Sequence, residues 1–597
     1  MEDAMAERAD SGVSRRELLR KAALGALALG AVPAALLPRL SQAEDRSAPP
    51  LPHRWFRAGH DVADPAQRTA LLDLIGAASE HGYNGLLLST GTFDFRIKDP
   101  ATVAGLREVK AACERRGFDL IPCVPGVGWG GALWNEDPYL VAGVPVTGTL
   151  MAVRGGRAVL EPDPPVGIAN GGFEQFEGDA FARLTADAPG RCTFADREMA
   201  HSGAASLRME HVGRATGGYR MCRVGQEVTL KPNRCYRISA RVKTQDLASV
   251  GALNLYVFRP GLQWPPLPFR WISRPRPTSD WTHVGYLFNS WEGGRAFAYV
   301  GLWGAREDDP GRLWVDDFRL EEVGPGVAVR REGTPVVVRK EGSDEPLVEG
   351  KDFTFPIEPK PSYWWAGYEG PTMRVLADGP AELKEGDRLR VDWYEPAIGA
   401  STAICMSEPR LYEIYREWFA LMHRELAPSK YLLSMDEVRG GCTCALCKSR
   451  GLSNGDILAD CVNRQFALIR DISSTADVLV WGDMFDPAMN AAPGDFWWVP
   501  GGFGGSWKTL NRDLIIACWS DLPVERARIR ASLEHFSGLG FRTLGGAYYD
   551  AADLEGSKAW LGELARTPGA YGIVYTTWSG HYGLMPAFGD LVSGRRD

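Results

Sequence analysis

The run Tyr431-Leu432-Leu433-Ser434-Met435 is apolar and ends on two adjacent carboxylates, Asp436 and Glu437, followed by Val438-Arg439-Gly440-Gly441. A short apolar run of this kind reads as a buried strand, and parallel α/β folds keep their chemistry at the C-terminal rims of such strands. Adjacent strand residues point to opposite faces, so the two acids can share a pocket only where the strand opens into its loop; Arg439-Gly440-Gly441 supplies that opening. Two carboxylates at such a rim suit general acid/base work on a bond whose leaving group needs a proton. The plainer reading, two solvated loop acids, is the usual fate of an isolated Asp-Glu pair. The rest of the pattern argues against it here.

Four later apolar runs also end in residues suited to a sugar site: Trp481-Gly482-Asp483, Cys518-Trp519-Ser520-Asp521, Tyr548-Tyr549-Asp550 and Thr577-Trp578-Ser579. Flat aromatic faces in polar settings stack on the C–H faces of sugar rings while nearby polar groups take the hydroxyls. Core packing accounts for some of the 20 tryptophans, but four aromatic rims in series beside an acid pair exceed what packing asks for. Directly after the acids comes Cys442-x-Cys444-x-x-Cys447. Three thiols at this spacing can share a structural zinc ion with a fourth ligand, pair as disulfides in an oxidising compartment, or stay free, and the spacing leaves all three open. No nearby His pair offers an open, catalytic metal site, so no metal is expected in the chemistry itself.

The elements that must carry these residues alternate strand and helix. Trp55 to Ala58, Tyr83 to Ser89 and Phe118 to Val124 read as strands, with amphipathic helices over Pro65 to His81 and Thr102 to Arg116. The alternation resumes with a helix over Pro409 to Leu426, the Asp436-Glu437 strand, and strands at Val478 to Trp481, Leu514 to Trp519, Thr543 to Tyr549 and Gly572 to Trp578. The total is eight strands, which predicts a (β/α)8 barrel of the TIM type in an α/β chain. Between Val144 and Ala400 helical periodicity fades and short alternating runs divided by Gly, Pro and Asp take over, so the barrel is expected to be interrupted after strand three by two β-rich domains. Residues 163–323 carry Asn170-Gly171-Gly172-Phe173-Glu174, His201-Ser202-Gly203, Asp280-Trp281-Thr282 and Trp314-Val315-Asp316-Asp317-Phe318. These segments resemble a jelly-roll β-sandwich of the galactose-binding-like, carbohydrate-binding-module type. A small β domain is expected over 324–400, leaving 53–143 and 401–590 as the two parts of the barrel.

At the N-terminus, Ser14-Arg15-Arg16-Glu17-Leu18-Leu19 precedes an apolar run to Leu37 and then Ser41-Gln42-Ala43. Paired arginines before a modest apolar core resemble a bacterial twin-arginine signal over residues 1–43. That implies the twin-arginine translocase as a partner during export and a periplasmic or extracellular destination. The apolar core falls short of the ~20 residues that span a bilayer, so no stable membrane span is expected after cleavage; an uncut signal would act as an anchor. Transport in the folded state would allow metal to be loaded beforehand. The formal charge of −8 and the dispersed basic residues argue against a nucleic-acid partner.

Taken together, the rims resemble glycoside hydrolase family 20, the β-N-acetylhexosaminidases. In that family an Asp-Glu pair ends strand four, a Trp lies on strand five, a Tyr-x-Asp on strand seven and a Trp on strand eight. Asp436-Glu437, Trp481, Tyr548 with Asp550, and Trp578 match in order, and Phe56-Arg57 with Asp61 is similar to the first strand, with the Arg57 to Asp61 spacing one residue short. The chain departs from the pattern as well. Leu432-Leu433-Ser434-Met435 stands where the family has His-x-Gly-Gly, Pro125-Gly126-Val127 where it has Pro-Gly-His, and Trp578-Ser579-Gly580 where it has Trp-x-Glu. The resemblance implies an oligosaccharide or polysaccharide substrate and retaining hydrolysis in which the substrate's 2-acetamido oxygen is the nucleophile. Glu437 would be the acid/base and Asp436 would steady the acetamido group. Trp481, Trp519 and Trp578 would wall its methyl, Tyr548 would donate to its oxygen, and Arg57, Asp61, Asp483 and Asp550 would meet substrate around the ring. Two alternatives stand beside this: a glycosidase that pairs Glu437 with another carboxylate such as Asp483, and an exported glycan-binding protein without activity.

Overall fold

The computed structural model describes residues 51–89, 96–212, 221–260, 267, 270, 272–398, 402–520 and 525–595. The signal expected over 1–43, and Asp521, lie outside the described residues. The chain divides into two compact units, one containing 143–398 and 443–445 and the other the rest of the two flanking stretches. Among the described residues, no helix is long and apolar enough to cross a membrane.

The flanking stretches form a closed barrel of eight parallel strands: β1 (His53–Ala58), β2 (Gly85–Leu88), β3 (Asp119–Val124), β4 (Lys430–Leu433), β5 (Asp477–Trp481), β6 (Ile515–Trp519), β7 (Arg542–Tyr549) and β8 (Ala570–Thr576). Pairing of β1 with β8, Trp55 against Val574, closes the ring. Alternation sends Trp55, Leu87, Ile121, Leu432, Leu479, Ile515, Leu544 and Val574 into one interior cluster, and continuing it by twos brings Arg57, Trp481 and Trp519 to the C-terminal end. The outer layer includes α1 (Pro65–Glu80), α2 (Pro100–Glu114), α3 (Pro409–Leu426), α4 (Asn454–Ile472), α5 (Arg526–Gly538), α6 (Glu555–Leu564) and α7 (Met585–Ser593). Between β5 and β6 the chain makes a single 3₁₀ turn, Asp483–Phe485, in place of a helix.

α3 shows why the sequence folds as it does. Pro409 at its first turn costs no hydrogen bond, and Leu411, Tyr412, Ile414, Tyr415, Trp418, Phe419 and Met422 recur at helical spacing on the buried face. The helix ends at Ala427, in the left-handed region at φ 43°, whose N–H returns to the His423 carbonyl. Its buried Tyr415 hydroxyl donates to the Pro125 carbonyl at 2.8 Å, which ties the helix to the loop leaving β3.

The other unit is antiparallel. Its five-stranded sheet has the order Ser279–Asn289, Cys235–Gln245, Arg312–Glu322, Ser206–Glu210 and Thr193–Asp196; its four-stranded sheet has Leu253–Phe258, Gly294–Leu302, Cys222–Leu230 and Thr185–Ala186. Leu207, Ile238, Val284 and Val315 of the first share one core with Val224, Leu255, Ala298 and Val300 of the second, the arrangement of a β-sandwich. A separate seven-stranded sheet centres on Arg388–Pro396 paired with Gly143–Arg154. The hairpin Gly143–Leu160 precedes the sandwich in the chain, so this smaller β domain is assembled from residues on both sides of it.

Candidate functional site

The loop after β4 is held from below by the loop after β3. A Cβ on Gly126 would lie 1.5 Å from the Ser434 carbonyl oxygen, and one on Gly128 would lie 2.3 Å from that of Asp436. Glycine is required at both positions because backbone meets backbone there. Tyr415 fixes Pro125, Pro125 leads into these glycines, and the glycines seat the Ser434–Val438 segment that carries the acids.

Asp436 reaches a pocket whose other lining residues are Trp481, Trp519, Tyr549, Thr576 and Trp578. The space, mouth included, is about 240 Å³, which suits one small group better than an extended ligand. The Trp519 and Tyr549 rings face each other nearly parallel, 6° apart in plane with centroids at 5.8 Å. A carboxylate at the wall of an aromatic box can take an N–H or stabilise positive charge while the rings hold an apolar group.

Glu437 is not among the lining residues. Its backbone sits in the left-handed region at φ 51°, a conformation a non-glycine residue keeps only when its surroundings hold it there. Its N–H donates to Asp483 Oδ2 at 3.0 Å, Trp129 Nε1 donates to its Oε2 at 3.2 Å, and its Oε1 pairs with Arg439 Nη2 at 2.7 Å, with both side chains buried. The Arg439 guanidinium also lies 4.9 Å from the Trp497 ring centre and 5.5 Å from that of Trp129. A buried carboxylate paired with arginine favours the charged form. As it stands, Glu437 is dressed as a carboxylate.

Asp483 sits one alternation beyond Trp481 and is fully buried. Trp519 Nε1 donates to its Oδ1 at 3.2 Å and Asn490 Nδ2 to its Oδ2 at 2.8 Å. Burial, then the charge of Asp436, push its carboxyl up to about 7, while the hydrogen bond from Glu437 N–H pulls the other way. One side chain therefore holds both the acid-bearing backbone and a wall of the pocket.

The remaining residues singled out from the sequence divide. Trp481, Trp519 and Trp578 line the pocket with Asp436. The Arg57 guanidinium lies 3.8 Å from the Trp578 ring centre and Nη1 donates to the Thr577 carbonyl at 2.9 Å, so it props that wall. Asp550, at φ 47°, accepts from the N–H groups of Trp578 and Ser579 at 2.9 and 3.2 Å and fixes the turn after β8. Asp61 lies ahead of α1, accepting from Ala63 N–H and donating its own N–H to Gln67 Oε1, both at 3.0 Å.

Tyr548 corrects an expectation. Its hydroxyl donates to the Ala551 carbonyl at 2.8 Å, its ring stacks on Tyr575, and Tyr549 lines the pocket instead. The cause is a bulge: Gly546 pairs with Val574 but Tyr548 with Tyr575, so Ala547 is extra on β7 and the alternation slips by one. The cysteine cluster also differs in membership. The Sγ atoms of Cys405, Cys444 and Cys447 all lie within 4.8 Å of one another; Cys442 is buried, with φ 58°. The sequence reading missed Tyr549, Thr576, Arg439, Asn490 and Cys405. Of these, Arg439 inside the Asp-Glu-Val-Arg run and Tyr549 inside the Tyr548-Tyr549-Asp550 rim carried a signal in their position.

No protein-family model matches the chain, and no curated protein does. Among solved structures, a β-N-acetylhexosaminidase from Bacteroides fragilis aligns at 11% identity over 33% of this chain and 42% of its own, with a TM-score of 0.24. The family 20 β-N-acetylhexosaminidase from Streptomyces coelicolor aligns at 10% over 34% and 41%, with 0.22. A Paenibacillus cycloisomaltooligosaccharide glucanotransferase aligns at 12% over 45% and 40%, with 0.18. The chain thus spans less than half the length of each, and likeness at this level carries nothing about chemistry.

Proposed function

We propose that the chain is an exported glycoside hydrolase that cleaves N-acetylhexosaminides with the substrate's acetamido oxygen as nucleophile. The observation that carries this reading is the pocket itself: one carboxylate, Asp436, set into a small box of Trp481, Trp519, Tyr549 and Trp578. An acetamido group matches it part for part, with its N–H toward Asp436 and its methyl against the rings. In the first step the acetamido oxygen bonds to C1 as the C1–O bond breaks, and a proton passes from Glu437 to the leaving oxygen; in the second, water gives its proton back to Glu437 and opens the ring so formed. Asp436 offsets the positive charge that appears between the steps. Glu437 must first gain a proton, so this reading requires substrate to loosen its pairing with Arg439. Entry to the twin-arginine pathway and a periplasmic or extracellular site belong to the same proposal.

The Glu437–Arg439 pair is also the observation that favours a second reading, a glycan-binding protein without turnover. Rates on matched chromogenic 2-acetamido and 2-hydroxy glycosides separate the possibilities. Cleavage of the acetamido sugar far faster than the 2-hydroxy one is expected. Equal rates would defeat acetamido participation and leave Glu437 with Asp483 as the acid pair. Binding without cleavage of either would establish the second reading.

A further inference from the structure

The cysteine cluster has no part in the chemistry above, and its geometry is specific. Cys405 Sγ lies 3.7 Å from Cys447 Sγ, and Cys444 Sγ is within 4.8 Å of both. All three side chains are buried. Four thiolates about 2.3 Å from a zinc ion at tetrahedral angles stand about 3.8 Å apart, close to the separation of Cys405 from Cys447. A disulfide would need about 2.05 Å and would use two of the three thiols. Packing alone does not explain the convergence either. Cysteine serves a core as a small apolar side chain, yet these three come together from the segment ahead of α3 and from a loop and short helix, Ala445–Ser449, after β4.

We propose that Cys405, Cys444 and Cys447 bind a zinc ion as thiolates. Each thiol gives its proton to solvent as its Zn–S bond forms, and no electron is transferred. The three thiolates are buried and take no part in the chemistry above, so the ion is structural. It joins the chain ten residues beyond Glu437 to the segment that leads into α3, and it closes the loop that begins with the acids.

The test is metal analysis of the full chain purified without chelator. One zinc per chain is expected in the wild type and in Cys461→Ser, a buried cysteine of α4 outside the cluster, and almost none in Cys405→Ser. Cobalt in place of zinc should give thiolate-to-metal charge-transfer bands and the intense visible bands of a tetrahedral site. The wild-type cobalt spectrum decides the question by itself if Cys405→Ser does not fold. Chelation should lower the Tm of the wild type. A chain that takes up neither zinc nor cobalt, or a Cys405–Cys447 disulfide found by peptide mapping without reduction, would overturn the proposal.

Discussion

Gly128→Ala tests how the acids are positioned. The added Cβ would lie 2.3 Å from the Asp436 carbonyl oxygen, 3.0 Å from Val438 N and 3.1 Å from the Glu437 carbonyl carbon. Carbon and carbonyl oxygen come no closer than about 3.3 Å in ordinary contacts, so the two backbones must part by roughly 1 Å. All three atoms belong to the main chain, which has no rotamer to turn aside. Overpacking of this kind costs about 1–3 kcal/mol, and a reacting group displaced by about 1 Å loses on the order of 10²-fold in rate. Gly131→Ala is the control, because a Cβ there meets nothing within 4 Å. Denaturant unfolding of both variants reads the packing, and kcat on a chromogenic N-acetylglucosaminide reads the displacement. A Gly128→Ala protein equal to the control in both would refute the claim that the β3 loop seats the acids.

Glu437→Gln should lower turnover by about 10²-fold or more and stability by roughly 3–5 kcal/mol, since it removes one partner of a buried ion pair. Adding Arg439→Met should restore much of the stability and none of the activity, and no recovery on urea unfolding would contradict the ion-pair account. Asp483, raised from 3.8 to about 7, binds its proton more tightly folded than unfolded, so its contribution to stability falls as pH rises through that window. Asp483→Asn should therefore gain stability relative to wild type between pH 4 and 7; parallel pH profiles would show that the carboxyl does not titrate there. Trp578→Ala should reduce the preference for acetamido over 2-hydroxy substrates by about 1–3 kcal/mol, read as the ratio of kcat/KM values. An unchanged ratio would remove Trp578 from the acetamido wall.

Much of the barrel was legible because its strands are short apolar runs and its helices repeat at 3.6. α3 spans Pro409–Leu426 as its periodicity predicts, and β5 and β6 each begin within one residue of expectation. The acid pair stood out for a related reason, since an apolar run seldom ends on two carboxylates. What escaped depends on geometry that no local pattern encodes. The pairing of Glu437 with Arg439 follows from a left-handed residue between strand and turn. Cys405 lies 37 residues before Cys442 in the chain, so only the fold makes it a neighbour of the cluster. Gly143–Leu160 reads as strands by alternation, but its partner, Arg388–Pro396, lies beyond the whole sandwich.

The extra residue on β7 bears on how such a pocket changes over time. Two tyrosines stand side by side at 548 and 549, and Tyr549 is the one that faces inward. Loss of the Ala547 codon would make Gly546 and Tyr548 consecutive, as their partners Val574 and Tyr575 already are, so the strand would become regular with Tyr549 still facing inward. A substitution at Tyr549 changes a wall of the pocket, whereas this deletion leaves every residue after it on the partner it has now, Asp550 and the turn it fixes included. Lineages that differ by this one residue would present the same surface to a ligand, and the gap recorded by a comparison of aligned sequences would mark a straightened strand beneath an unchanged rim.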